Sequence, residues 1–96
     1  MLTVATVETA SAKRYLGQFC KHFAHKLPVD LAEDNSSGTV GFSIGSCVLR
    51  ADDQKLALAL EGAEDAMTGL QDVVARHLVR FAFREELELQ WQAIPS

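Results

Sequence analysis

Chemistry in this chain is confined to a few side chains: three histidines, two cysteines and scattered arginines and acids. His22 and His25 stand three residues apart. On a helix that spacing separates them by about 60°, so both can face one ligand. Arg14, Gln18 and Lys21 share the same broad face. Two imidazoles with basic neighbours suit an anion, or half of a metal site, which needs three or four donors. The alternative is structural, because cations gather in the last turns of a helix where its dipole favours them. Cys20 completes an apparent Cys-x-His-x-x-His motif. However, Cys20 and His22 point about 160° apart around a helix, so Cys20 reads as a small core residue. Cys47 reads the same way.

A second cluster comprises His77, Arg80 and Arg84, on the shoulder of an apolar stripe. It suits an anion or carboxylate clamp, or else a packing boundary whose arginines pair with Glu85, Glu86 or Glu88. The expected binding residues are therefore Arg14, Lys21, His22, His25, His77, Arg80 and Arg84. Only His22 and His25 stand as metal candidates, and the residues name no cofactor. No catalytic set assembles. The chain has no Gly-rich phosphate loop and no H-E-x-x-H. Asp52-Asp53 falls in a turn, where turn chemistry accounts for it.

The elements that position these residues follow from periodicity. Leu2–Val7 is β-branched and reads as a first strand. Thr6 or Thr9 then caps a helix to about Lys26, stopped by Pro28, with Ala12, Tyr15, Leu16, Phe19, Cys20 and Phe23 as its apolar stripe. Val29–Leu31 is a short strand. Val40, Phe42 and Ile44 share a face of the next, and Gly45-Ser46 is expected as a two-residue turn with glycine first. That turn sets Ile44 opposite Cys47 and Phe42 opposite Leu49. Leu56, Leu58 and Leu60 continue the covered face only if the Asp52-Asp53-Gln54 turn holds two or four residues. Gly62 and Ala63-Glu64-Asp65 open a second helix, with Met67, Leu70, Val74, Leu78 and Phe81 buried. Leu87, Leu89 and Trp91 alternate with polar residues in a closing strand. The result is one α+β domain over residues 1–96, in the order β-α-β-β-β-β-α-β. It forms a two-layer sandwich of a mostly antiparallel sheet with two helices on one face.

The uncovered face, read by parity, carries Thr39, Gly41, Ser43, Val48, Arg50, Ala57 and Ala59, with Glu88, Gln90 and Gln92. It is either solvated or the interface of a homodimer. It lacks aromatic residues, and the net charge is −4, so no nucleic acid is expected as partner. No apolar run is long enough to span a bilayer and no basic, apolar leader opens the chain, so the expected location is the cytoplasm, with reduced thiols and no membrane contact.

Three stretches carry a family resemblance: Arg14-Tyr15-Leu16 leading to Cys20-Lys21-His22-Phe23-Ala24-His25-Lys26; Ala51-Asp52-Asp53; and His77-Leu78-Val79-Arg80-Phe81-Ala82-Phe83-Arg84-Glu85-Glu86-Leu87. Together they resemble the bacterial domain-of-unknown-function family 2218, over essentially the whole chain. That resemblance implies small proteins that stand alone, or lie beside or fused to siderophore-interacting flavin reductases. It implies a setting, iron–siderophore utilisation with such a reductase as partner, and no reaction. The expected function is a non-catalytic binding or accessory domain. The alternative is direct binding of a metal, haem or ferric chelate through His22 and His25.

Overall fold

Residues 1–82 and 84–95 are described by the computed structural model; Phe83, within the last of the three motifs, lies outside them. The chain forms β1 (Leu2–Glu8), α1 (Ala12–Phe23), β2 (Val29–Leu31), β3 (Ser37–Phe42), β4 (Gly45–Ala51), β5 (Lys55–Gly62), α2 (Met67–Phe81) and β6 (Gln92–Ile94). One six-stranded sheet runs in the order β2-β3-β4-β5-β1-β6, and every neighbouring pair is antiparallel. The expected α+β class, element order and one-sided helical cover all hold.

Alternation decides which face is covered. Val40, Cys47, Leu49, Leu56, Leu58 and Leu60 are buried, as are Thr3, Ala5 and Val7 of β1. From the helices, Ala12, Tyr15, Leu16, Phe19 and Cys20 of α1 and Met67, Leu70, Val74 and Leu78 of α2 complete the core. Both thiols are free and buried, and loss of hydration pushes the Cys20 thiol up to about 11. Its sulfur lies so close to Gly38 that a Cβ there would sit 2.6 Å away. Thr3, a buried hydroxyl, donates to the Met67 sulfur at 3.2 Å and accepts from Gln71 Nε2 at 3.2 Å.

The β3–β4 turn differs from the expectation. Phe42 pairs with Gly45, Val40 with Cys47 and Gly38 with Leu49, so the loop is Ser43-Ile44. Ile44 sits on the turn, 41% exposed, and leaves the core. The cause is tertiary: Gly45 belongs to β4 because β5 claims it, pairing it with Gly62. A Cβ on Gly45 would collide with the Glu61 carbonyl and come within 2.8 Å of Leu70 Cδ2. The register slides by whole two-residue steps, so Phe42, Cys47 and Leu49 keep their expected face. The β4–β5 turn obeys the even-number rule. Ala51 pairs with Leu56 across four residues, and Asp52 Oδ1 accepts the Gln54 and Lys55 N–H groups at 2.8 Å each.

Element ends are corrected too. α1 starts at Ala12 and stops at Phe23, because neither candidate threonine caps it. Thr6 lies inside β1, and the Thr9 hydroxyl donates to the Glu85 carboxylate at 2.9 and 3.0 Å while accepting the Ser11 N–H. Gly62 ends β5, and Glu64–Ala66 forms a single 3₁₀ turn before α2. The closing strand is shorter and later than its alternation implies. Leu87, Leu89 and Trp91 pack against the core from irregular chain, since β6 pairs β1 only over Leu2–Val4. Glu88 and Gln90 therefore leave the open face, Ser43 joins a turn, and β1 supplies Leu2, Val4 and Thr6 in their place.

Candidate functional site

The two histidine-bearing helices meet. The His22 and His77 ring centroids lie 5.1 Å apart, tilted by 47°. Phe23 supports both, its ring 4.9 Å from His22 and 4.8 Å from His77. Phe81 approaches His22 edge-on at 5.6 Å. Phe23 is held in turn by Phe19 at 4.9 Å and Phe42 at 5.1 Å. Sequence explains this frame: Phe19 and Phe23 are one turn apart on the sheet side of α1, and His22 lies beside Phe23 facing α2.

His77 Nδ1 lies 2.7 Å from the Val73 carbonyl oxygen. A carbonyl can only accept, so Nδ1 carries the proton in this bond and Nε2 of the neutral ring is left as an acceptor. Partial loss of hydration pushes the His22 imidazole below the ordinary histidine range, and the neighbouring His77, Arg80, His25 and Lys26 add like-charge repulsion. Folded His22 therefore binds fewer protons than unfolded His22 just below the ordinary pKa of about 6.5. The stability linked to neutral His22 is full above that pH and is lost as pH falls through the folded value. Denaturation between mildly alkaline and mildly acidic pH is expected to show this decline, and His22→Gln is expected to make it shallower.

Arg76, His77 and Arg80 line a shallow notch beside this pair. A second notch is lined by Arg14, Tyr15, Gln18, Phe81 and Arg84. Phe81 borders that notch and touches His22, so the two cationic patches follow one helix–helix seam. Lys21 is exposed near the end of α1, and His25 is exposed in the turn after it. His25 makes no ring contact among the described residues, so His22 pairs with His77 across the seam and not with His25 along its own helix. The expected ion pairs of Arg80 with Glu85, Glu86 or Glu88 do not form among the described residues. Glu85 instead accepts hydrogen bonds from Thr9 and the Tyr15 hydroxyl, and this carboxylate raises the Tyr15 pKa, with burial adding to it. The described ion pairs are Lys13–Asp53 at 3.8 Å and Arg76–Asp72 at 3.4 Å. Lys21, Lys26 and Arg80 form no ion pair among the described residues.

Sequence reasoning missed two parts of this arrangement. The Phe19-Phe23-Phe42 frame reads as ordinary core because apolar periodicity cannot say which ring meets which. Arg76 was missed as a lining residue, although its place one residue before His77 was the available signal. Among the described residues, no three His, Cys, Asp or Glu side chains converge to hold a metal ion. No helix there is long and apolar enough to cross a membrane.

No curated protein matches the chain. The fold is shared with PA4090 from Pseudomonas aeruginosa, whose NMR structure superposes with a TM-score of 0.80 at 36% identity, covering 99% of this chain and 98% of that one. Residues 4–92 match the family described as uncharacterized proteins conserved in bacteria, DUF2218, and the chain belongs to that family.

Proposed function

We propose that this chain is a non-catalytic binding domain whose ligand is an anionic ferric chelate, taken up on the seam between α1 and α2. The observation that carries this reading is the meeting of His22 and His77, 5.1 Å apart, close to Lys26 and Arg80, neither of which forms an ion pair among the described residues. Their attraction for an anion is long-range, while the aromatic and imidazole rings offer apolar contact edged by hydrogen-bonding groups. An iron–siderophore setting, implied by the family resemblance, supplies ligands of that kind. Three catecholates around ferric iron leave a trianion with aromatic faces. The chelate brings its own donors, so the protein need supply none. Direct coordination of a bare metal ion by His22 and His25 has less support, because His22 turns toward His77 and no third His, Cys, Asp or Glu joins them among the described residues. A siderophore-interacting reductase is the natural partner of such a domain.

The test is an NMR titration with ferric tris-catecholate, using the gallium complex as diamagnetic control. Paramagnetic broadening is expected to centre on His22, His77 and Phe81. Arg80→Glu should weaken binding by about tenfold, and added salt should weaken it further. Broadening centred elsewhere, or affinity indifferent to both changes, would overturn the assignment. Co-purification with a siderophore-interacting reductase tests the setting separately.

A further inference from the structure

The sheet face opposite the helices is uncovered among the described residues, and its register gives it a symmetry that the sequence does not display. One cross-strand row runs Val4–Ala59–Val48–Thr39. On one side of this row, Arg50 lies two residues from Val48, beside Ala57 and Thr6. On the other side, Glu61 lies two residues from Ala59, between Ser46 and Leu2. Arg50 and Glu61 are thus on adjacent strands, displaced by equal amounts, about 7 Å, in opposite directions from the row. Val4, Ala59 and Val48 make the row small and apolar up to Thr39 at its end, with Val48 36% exposed.

We propose that this face binds a second copy of the chain, face to face, about a two-fold axis lying along that row. A half-turn about such an axis exchanges the two sides of the row. Each Arg50 is thereby carried over the other copy's Ser46, one strand from its Glu61. With sheets about 10 Å apart and strands about 4.8 Å apart, these long side chains span the gap. The axis places Val48 against Val48 and Ala59 against Ala59, while two identical Arg50–Glu61 contacts flank them, as an isologous interface requires.

Other relative positions of the two sheets lose this match. An axis parallel to the strands would leave each Arg50 on its own side of the row, near the other copy's Arg50. The available area is sufficient: four strands of six to eight residues and two of three give roughly 550 Å² per copy, or about 1,100 Å² in total, at the lower limit of specific interfaces. The helical seam with His22 and His77 faces away and stays accessible in such a dimer, so this inference is independent of the proposed ligand.

Sedimentation equilibrium on the full chain, from micromolar to millimolar concentration, tests it. A monomer–dimer equilibrium is expected. Arg50→Glu alone and Glu61→Arg alone should each raise its dissociation constant at least about tenfold, and the double exchange R50E/E61R should restore it to near the starting value. Both side chains are exposed, and unchanged circular dichroism confirms that each variant folds. A monomer throughout the range overturns the proposal. So does a dimer that ignores both single exchanges, or one that the double exchange fails to restore.

Discussion

Phe19→Ala is expected to cost about 3–5 kcal/mol, the range for removing a buried aromatic ring from a close-packed core. A domain of this size has about 5–15 kcal/mol in total, so the variant should sit near the edge of folding at moderate temperature. Phe19 is fully buried and its ring holds Phe23 at 4.9 Å, which in turn holds both histidine rings. Removing it should therefore do more than shift the urea midpoint. The contacts between His22 and His77 should also lengthen, seen as lost cross-peaks between the two rings. Phe19→Leu keeps most of the volume and should cost no more than about 1.5 kcal/mol, with the histidine pair intact. If Phe19→Ala unfolds no more easily than Phe19→Leu, the ring is not the keystone described above.

Gly45→Ala is expected to destabilise by about 3 kcal/mol. Gly45 holds φ at +156°, the one positive-φ glycine among the described residues, and L side chains occupy such a conformation at a cost of about 1–3 kcal/mol. The added methyl group would also meet the Glu61 carbonyl and Leu70, adding about 1–3 kcal/mol of overpacking unless β5 shifts. Gly69 provides the internal contrast. It is exposed in the first turns of α2, and a Cβ there meets nothing within 4 Å. Gly69→Ala should stabilise by about 0.5–1 kcal/mol through helix propensity. Opposite signs for one chemical change, read from denaturant midpoints, distinguish backbone geometry from propensity.

These two glycines also mark where the sequence could be read and where it could not. The identity of the covered face was legible because alternation has period two, and the true hairpin differs from the expected one by whole two-residue steps. The turn itself was not legible, since Gly45 is drawn into β4 by pairing with Gly62, seventeen residues downstream in the sequence. Helix stripes were legible, but helix ends were not. Thr9 carries the chemistry of a cap, yet its hydroxyl is engaged by Glu85 from the far end of the chain. The candidate site was half legible: wheel geometry separates Cys20 from His22 correctly, and it places His22 outside the apolar stripe. It cannot reveal that α2 brings His77 alongside, because nothing in either helix specifies its neighbour. Alternation over Leu87–Gln92 misled for the same reason, as one-sided burial satisfies irregular chain as well as a strand.

The strand order has a kinetic consequence. β2 to β5 form a meander in which each strand pairs with the next, so their loops are short and cheap to close. β1 is different: its pair Glu8↔Lys55 already spans about half of the chain, and Leu2↔Ile94 spans nearly all of it. Pairing across such separations costs loop entropy before any contact compensates for it, which slows folding toward the millisecond-to-second range of non-local topologies. Until β1 arrives, the inner edge of β5 and the apolar side of the meander stay open. The interval during which this chain is most exposed to mispairing is thus set by the capture of its first strand between two of its last.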